Sequence, residues 1–418
     1  MEGEIITIGT ELVSGRTLDL NAWYAAGRLA ASGLQVTRIT SVGDDYDKVS
    51  DALTRALAVS RFVIVTGGLG ATDDDITSEI VAGALDRPLC LDKQMFQLIK
   101  HHSAARGLKV TASMEKMAWM PRGSRMLNPE GTACGCCLME KDIPLYFLPG
   151  VPDQMRYLMD NFVLPEIIGL FETLPVVRQR VLKLYGLNEP SIAEMLGDLQ
   201  NQTKGIVFGF YPNFPENHIT LSLRGQDETS VLRELDRVKD EIKRLVGPGI
   251  FSEGSENMEE IIGQGLAEKD LTLSTAESCT GGLIGHRLTN VPGSSAYYMG
   301  GMVVYSNQAK IDLLGVSAET LEAQGAVSDR TVREMAEGVR RRMQTDLGLA
   351  VTGIAGPDGA TKDKPVGTVH LGLAVESETF SRKYRFWGTR EQVKHNTSMM
   401  ALDWIRRYMN GYPFLPGL

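Results

Sequence analysis

The stretch FVIVTGGLG, residues 62–70, decides the fold class. Its first half, residues 62–65, is a continuous apolar run of the kind that forms a strand buried on both faces of a sheet. Its second half is rich in glycine and predicts a tight loop. Upstream, residues 5–8 and 34–42 are also strand-like, and apolar residues at helical spacing separate the three segments. This βαβαβ order predicts an α/β fold with a doubly wound parallel sheet.

Polar loops follow the three predicted strands. They contain Thr10 and Glu11, then Asp44, then the glycine loop of residues 66–70. In open α/β sheets, ligands bind beyond the carboxyl ends of the strands. We therefore predict that the three loops converge on one crevice. The residues of the glycine loop expected to bind substrate are Thr66, Gly67, Gly68 and Gly70.

Three consecutive aspartates, residues 73–75, follow the glycine loop, where we expect a helix to begin. Glycine backbone and a helix N-terminus both favour an anion. Like charges crowded at one helix start repel each other unless a cation binds between them. We therefore predict a divalent metal site formed by Asp44, Asp74 and Asp75, with the metal bridging to a pyrophosphate. The alternative is a solvated acidic loop that caps the helix.

Two further regions follow the first. The chain is divided here into residues 1–170, 176–252 and 256–412, with boundaries at proline-rich and polar stretches. The sequence pattern of the middle region predicts the order strand, helix, strand, strand, helix, which is that of a small α+β module. The last region again mixes strands and helices and predicts a second α/β domain.

Composition excludes several classes of protein. The 418 residues carry 43 basic and 52 acidic side chains, a net charge of −9, which disfavours sequence-independent binding to nucleic acid. Ordinary hydrophobic (43%) and charged (23%) fractions exclude a disordered, collagen-like or coiled-coil chain. We find no apolar run long enough to span a membrane and no signal peptide, and so expect a cytoplasmic protein without a membrane partner. Five cysteines suit neither a disulfide framework nor a zinc site.

The motif ESCTGG, residues 277–282, joins a predicted strand to a predicted helix. Ser278 is either the N-cap of that helix or a nucleophile held beside backbone N–H groups that stabilise an oxyanion. A nucleophilic serine needs a base, and Lys310 in the motif YSNQAK (residues 305–310) is a candidate, because a desolvated lysine loses its proton easily. Cys279 is a rival nucleophile. Spacing alone does not bring Ser278 and Lys310 together.

The motif TGIAGP, residues 352–357, ends another predicted strand with two glycines. Such a turn is large enough to hold a phosphate group, and Lys364 is placed to bring a cation to it. The alternative is an ordinary glycine-rich connection.

Taken together, these motifs resemble those of one family. One set of motifs looks like the first domain of CinA-type proteins, which is similar to molybdopterin-binding domains. These motifs are GTEL (9–12), TGGLG (66–70), TDDD (72–75), NPEGT (128–132) and LPGVP (148–152). A second set of motifs looks like the CinA C-terminal domain: ESCTGG, GSS (293–295), YSNQAK, GAVS (325–328), TGIAGP and KPVGT (364–368). The resemblance covers essentially the whole chain, in order.

The resemblance implies a bifunctional hydrolase of pyridine-nucleotide metabolism. The C-terminal domain would deamidate nicotinamide mononucleotide without a cofactor, with Ser278 as nucleophile, Lys310 as base and Tyr305 beside them. Its expected substrate contacts are Thr280, Gly281, Gly282, Thr352, Gly353 and Gly356. The first domain would be a metal-dependent ADP-ribose pyrophosphatase, and Asp44 and Asp75 match acidic positions of the related domains.

A different class of function is also compatible with the resemblance. The chain would then be a ligand-binding or competence-related interaction scaffold with little catalysis. In either case, three domains with short linkers suit a homodimer.

Overall fold

The apolar run of residues 62–65 forms the third strand of a six-stranded sheet in the computed structural model, which describes residues 1–129, 131 and 135–416. Ile64 packs with Ile5 on one face of the sheet, and Val63 and Val65 pack with Ile6 on the other. The run is continuously apolar because helices cover both faces. The prediction of an α/β fold with a doubly wound sheet is confirmed.

The strands of this region are β1 (Glu2–Ile8), β2 (Gln35–Val42), β3 (Phe62–Thr66), β4 (Leu89–Leu91), β5 (Trp119–Pro121), β6 (Arg125–Met126), β7 (Cys136–Glu140) and β8 (Ile143–Leu148). Its helices are α1 (Thr10–Val13), α2 (Leu20–Ala31), α3 (Tyr46–Val59), α4 (Thr77–Ala84), α5 (Lys93–Ala105), α6 (Ala112–Lys116), α7 (Pro152–Leu158) and α8 (Leu164–Gly169). The six-stranded sheet has the order β2-β1-β3-β8-β7-β6, and β4 pairs with β5 separately.

The sheet is parallel over β2, β1, β3 and β8 and antiparallel at the edge formed by β7 and β6. The predicted parallel sheet therefore comprises four strands, and an antiparallel edge that the sequence did not indicate adjoins it. Lys141 and Asp142 form a two-residue turn in which both have positive φ, 49° and 65°. Such a turn joins neighbouring strands as a hairpin, which must be antiparallel.

The middle region contains a four-stranded sheet in which β10 and β11, and likewise β12 and β9, pair antiparallel. Its elements are β9 (Val176–Leu184), α9 (Glu189–Gln202), β10 (Ile206–Asn213), β11 (Glu216–Gly225), α10 (Glu228–Val246) and β12 (Ile250–Ser252), with strand order β10-β11-β9-β12. The predicted order of strand, helix, strand, strand and helix is present, and β12 adds an edge strand. The chain folds into two compact units, Met1–Arg178 with Arg224–Leu232 and Gln179–Leu223 with Arg233–Leu418.

The last region forms a second α/β sheet of five strands in the order β14-β13-β15-β16-β17. Its elements are α11 (Met258–Glu268), β13 (Leu273–Glu277), α12 (Leu283–Thr289), β14 (Tyr298–Val303), α13 (Asn307–Leu314), α14 (Ala318–Gln324), α15 (Asp329–Met343), β15 (Leu347–Gly353), β16 (Thr368–Ala374), β17 (Thr379–Arg385) and α16 (Arg390–Met409). Strands β14, β13 and β15 are parallel, and β16 and β17 are antiparallel to their neighbours. Among the described residues, no helix is both long and apolar enough to cross a membrane.

A buried charge cluster anchors the C-terminal half of α16. The Asp403 carboxylate is fully buried and accepts hydrogen bonds from both Arg406 and Arg407. Arg406 also donates to the carbonyl of Pro248, and Arg407 to that of Pro413. Every charge in the cluster is thus paired and hydrogen-bonded, which is the condition under which buried ions are tolerated.

We predict that Asp403→Ala destabilises the protein by about 3–5 kcal/mol, because it leaves two guanidinium groups buried without their counter-charge. Asp236→Ala is the matched control, since its ion pair with Arg180 is partly exposed and is worth about 0–1 kcal/mol. Urea unfolding followed by tryptophan fluorescence measures both variants. A loss below about 1 kcal/mol for Asp403→Ala would contradict the account of this cluster.

Candidate active site

Ser278 and Lys310 lie together although they are 32 positions apart in the chain. Lys310 Nζ is 3.2 Å from Ser278 Oγ, within hydrogen-bond distance. Ser278 follows β13, and Lys310 lies in α13, which follows β14. Because β13 and β14 are parallel neighbours, the segments that leave their carboxyl ends meet at one edge of the sheet.

The surroundings of Lys310 favour its neutral form. Its side chain is only 1% exposed, and burial lowers the pKa of Lys310 below the usual lysine value of 10.5. Lys310 Nζ also donates to the carbonyl oxygens of Val304, at 2.8 Å, and Tyr305, at 3.3 Å. A neutral amine has two N–H groups and one lone pair, and the two carbonyls can only accept. The lone pair is then left for the hydroxyl proton of Ser278.

Cys279, the rival nucleophile, is unsuited to that role. Its side chain is buried, and burial raises the pKa of the Cys279 thiol to about 12. Since the thiolate is the reactive form of cysteine, this thiol is inert near neutral pH. Ser278 is therefore the better nucleophile of the two.

The carboxylate of Glu277, beside Ser278, caps α12. It accepts hydrogen bonds from the backbone N–H groups of Gly282 at 3.0 Å, Ile284 at 3.1 Å and Gly285 at 2.8 Å. A buried carboxylate is stabilised here by the unpaired donors and the dipole of the helix N-terminus. Glu277 thereby fixes the turn that carries Ser278, a role that the sequence did not indicate.

Three residues expected to bind substrate, Thr280, Gly281 and Gly282, lie outside the cavity beside Ser278. Thr280 is fully buried, the N–H of Gly281 donates to the carbonyl of Ser278, and that of Gly282 is held by Glu277. Both glycines have positive φ, 63° and 95°. The paired glycines therefore serve the turn itself, because other residues rarely adopt this backbone conformation.

The cavity has a volume of about 220 Å³ and opens at the carboxyl ends of β13 and β15. Six of the predicted site residues line it: Ser278, Lys310, Tyr305, Thr352, Gly353 and Gly356. The hydroxyl of Thr352 donates to the carbonyl of Ala326 at 2.7 Å, so it helps to fix the wall of the cavity.

Arg390, the first residue of α16, also lines the cavity, and the sequence reasoning missed it. Its Nη1 donates to the carbonyl of Gly356 at 2.6 Å and its Nη2 to Tyr305 Oη at 3.0 Å. Lys364, the predicted cation, instead donates to the carbonyl of Gln324 at 2.7 Å and does not line the cavity. A signal was available, because the helix dipole disfavours a cation in the first turn of a helix. An arginine there suggests a role in binding.

A second and larger cavity, of about 640 Å³, lies at the carboxyl edge of the first sheet. The predicted residues Thr66, Gly67, Gly68, Gly70 and Asp75 line it, as does Glu11 from the loop after β1. The hydroxyl of Thr66 is already engaged, since it donates to the carbonyl of Pro149. The loops after β1, β3 and β8 therefore share this cavity, whereas Asp44, after β2, does not line it.

Two of the three predicted metal ligands, Asp44 and Asp75, accept hydrogen bonds from threonines. Asp44 Oδ2 accepts from the N–H and the hydroxyl of Thr10, and Asp75 Oδ2 accepts from the N–H and the hydroxyl of Thr72. Asp74 lies outside the cavity. Helix α4 begins at Thr77, so the expectation that the aspartates start a helix is wrong. The hydrogen bonds of Asp75 close a turn before the helix.

No group of three or more histidine, cysteine, aspartate or glutamate side chains suited to a metal occurs among residues 1–129, 131 and 135–416. Asp44, Asp74 and Asp75 therefore do not form a common ligand set in the described part of the chain. Residues 130 and 132 of the motif at 128–132 lie outside the described residues, and so does Cys134.

Three family models match successive parts of the chain. Residues 4–168 match a model described as "Probable molybdopterin binding domain". Residues 179–252 match the "Damage-inducible protein CinA KH domain", and residues 255–409 match the "CinA C-terminal domain". The middle module and each of the two α/β regions therefore match a known domain family.

Relatives match over nearly the full length. A CinA-like protein of Geotalea uraniireducens is 38% identical over 403 residues, which cover 96% of each chain. CinA-like proteins of Desulfotalea psychrophila and Dictyoglomus thermophilum are 37% and 38% identical and cover 98% and 97% of this chain and 99% of their own. The chain belongs to the CinA-like family, as its motifs predicted.

His370 of β16 is a buried histidine whose neighbour in β15 lines the cavity. It stands opposite Thr352 in the register of β15 and β16. It is 8% exposed, and its Nδ1 has no hydrogen-bond partner in the described part of the chain. Burial lowers the pKa of His370 from 6.5 to about 4, although Asp329 nearby opposes the shift.

We predict that folding stability falls as the pH drops from about 6.5 to about 4, because the unfolded chain binds a proton that folded His370 does not. The full loss is about 3 kcal/mol, and His370→Gln should remove this part of the pH dependence. Urea unfolding at pH 7, 5.5 and 4.5 measures it. Parallel pH profiles for the wild type and His370→Gln would refute the assignment.

Proposed function

We propose that the C-terminal domain, residues 255–409, deamidates nicotinamide mononucleotide. The contact between Lys310 Nζ and Ser278 Oγ beside a cavity carries the proposal. Lys310 accepts the hydroxyl proton while Ser278 Oγ attacks the carboxamide carbon. The C–N bond then breaks, and the proton leaves with ammonia. Water hydrolyses the resulting ester, which gives the carboxylate and restores Ser278.

The tetrahedral intermediate of this reaction needs donors for its oxyanion. The N–H groups of Gly281 and Gly282 are already engaged with Ser278 and Glu277. Those of Cys279 and Thr280 donate to no backbone carbonyl in the described part of the chain. Because Cys279 lines the cavity and Thr280 does not, we assign the oxyanion to the N–H group of Cys279.

Arg390 supports a substrate with a phosphate group. A guanidinium group has five N–H donors in a planar fork, which suits phosphate oxygens. Arg390 holds the carbonyl of Gly356 and the hydroxyl of Tyr305, and these contacts leave further donors free for a ligand. The ring of Tyr305 is 62% exposed at the same rim and can contact the nucleotide.

We predict that Ser278→Ala and Lys310→Met each lower ammonia release from nicotinamide mononucleotide by about 10²–10⁴-fold or more, since each removes the nucleophile or its base. Methionine keeps most of the length of the buried lysine side chain without its amine, so we expect the fold to survive. Lys364→Met, which changes a lysine outside the cavity, is the matched control. The wild-type rate should rise with pH through a Lys310 pKa below 10.5.

Retention of more than half of the activity in Lys310→Met would rule out the role of Lys310 as base. No ammonia release by the wild type would favour the alternative, a ligand-binding or interaction scaffold.

A second activity, metal-dependent ADP-ribose pyrophosphatase, is proposed for the N-terminal domain, residues 4–168. The cavity of about 640 Å³ beside the glycine loop supports it. Magnesium is often held by one or two carboxylates together with substrate phosphates, so a cluster of three protein ligands is not required. Asp75, which lines the cavity, fits this role with its Oδ1. The cation would neutralise charge on the pyrophosphate.

We predict that Asp75→Asn lowers the formation of AMP and ribose 5-phosphate from ADP-ribose at least tenfold, and that a chelator abolishes it. Asparagine keeps an acceptor for the hydrogen bonds of Thr72 but loses the negative charge. Asp73→Asn is the matched control, because Asp73 is exposed and lies outside the cavity. Equal turnover by Asp75→Asn, or turnover in chelator, would contradict the role of Asp75.

A further inference from the structure

The glycine loop of the N-terminal domain separates two cavities rather than bordering one. The first lobe is the cavity of about 640 Å³ described above, and the second lobe is a neighbouring cavity of about 420 Å³. Both are lined by Gly68, Leu69, Gly70, Asp75 and Met117. A ligand can therefore extend from one lobe to the other across this loop.

The second lobe has an aromatic and apolar wall. Trp119 of β5 lines it together with Leu89 and Met117. The indole is 38% exposed, which leaves part of its surface open to a ligand. A flat π-face flanked by aliphatic side chains is the surface on which proteins stack nucleobases.

The first lobe contains two buried hydrogen-bond acceptors that no donor of the described residues contacts. Asp19 Oδ2 and Asn21 Oδ1 are buried and have no partner in the described part of the chain. The amide of Asn21 donates to Thr66 Oγ1 and to the carbonyl of Gly150, which fixes its Oδ1 as the acceptor. Unpaired buried acceptors call for a ligand rich in hydroxyl donors, such as a sugar.

The charges of the two lobes limit where a phosphate can lie. Five carboxylates line them, those of Glu11, Asp19, Asp75, Glu79 and Glu115, against one ammonium group, that of Lys116. Lys116 Nζ donates to the carbonyl of Thr72 at 3.3 Å, so it lies near the turn that contains Asp75. The anionic part of a ligand is therefore favoured beside the glycine loop, and uncharged groups are favoured in the lobes.

We propose that the second lobe is a nucleobase site in which the base of a nucleoside diphosphate sugar stacks on Trp119. The diphosphate then crosses the glycine loop, and the terminal sugar lies in the first lobe. This inference rests on the function proposed for the N-terminal domain, and it adds the direction in which the substrate lies and the residue that recognises its base.

Binding and turnover test this placement in the full-length protein. The probes are AMP, which carries a base, and ribose 5-phosphate, which does not; both are titrated with magnesium while tryptophan fluorescence is recorded. AMP should quench the fluorescence of the wild type and ribose 5-phosphate should not. Trp119→Phe should remove the quenching and keep most of the affinity. Trp23→Phe, which changes an exposed tryptophan outside both lobes, should leave the quenching intact.

Trp119→Ala should weaken AMP binding, measured by calorimetry, and raise the KM for ADP-ribose by roughly 5- to 150-fold, the loss expected for one base–aromatic stack. Unchanged affinity and KM would overturn the nucleobase site, as would the absence of AMP binding by the wild type. Trp119-dependent AMP binding without hydrolysis of ADP-ribose would refute the pyrophosphatase and support the nucleobase site. Hydrolysis of ADP-ribose with an unchanged KM in Trp119→Ala would support the pyrophosphatase and refute the nucleobase site.

Discussion

The C-terminal site depends on one buried contact, that between the Lys310 amine and the Ser278 hydroxyl. Burying a lysine costs free energy, and the protein reduces that cost by disfavouring the charged form. The carbonyls of Val304 and Tyr305 take the two N–H groups of the neutral amine, so its lone pair faces the serine. Glu277 in turn holds the loop of Ser278 by capping α12. Hydrogen bonds to backbone groups thus position Lys310, Ser278 and the loop between β13 and α12 at one edge of the sheet.

The two α/β domains handle charge in different ways. The C-terminal cavity is lined by one buried amine, that of Lys310, by the guanidinium group of Arg390 and by one carboxylate, that of Asp358, and the proposed reaction there needs no cation. The N-terminal lobes are lined mainly by carboxylates, so an anionic substrate would have to arrive with a cation. The same type of sheet edge therefore supports two proposals with opposite metal requirements. The homodimer remains a prediction.

The sequence predicted the elements whose signals are local. The apolar run of residues 62–65 and the motifs around Ser278 and Lys310 are of this kind. The β7–β8 hairpin was missed because Lys141 and Asp142 lack the usual glycine signal of such a turn. The contact between Ser278 and Lys310 could be proposed but not established, since strand order creates it. Arg390 was missed because it reaches the cavity from the far end of the domain sequence.

The most direct test of the central claim is the ionisation of Lys310 itself. Protein labelled with ¹³C at the lysine ε-carbons can be titrated by NMR, and the Lys310 signal can be assigned as the one missing from Lys310→Met. The account predicts a pKa below the ordinary lysine value of 10.5, because burial of the amine beside Ser278 disfavours its charged form. A Lys310 pKa at or above 10.5 would mean that the amine stays protonated, and the proposed base would be contradicted.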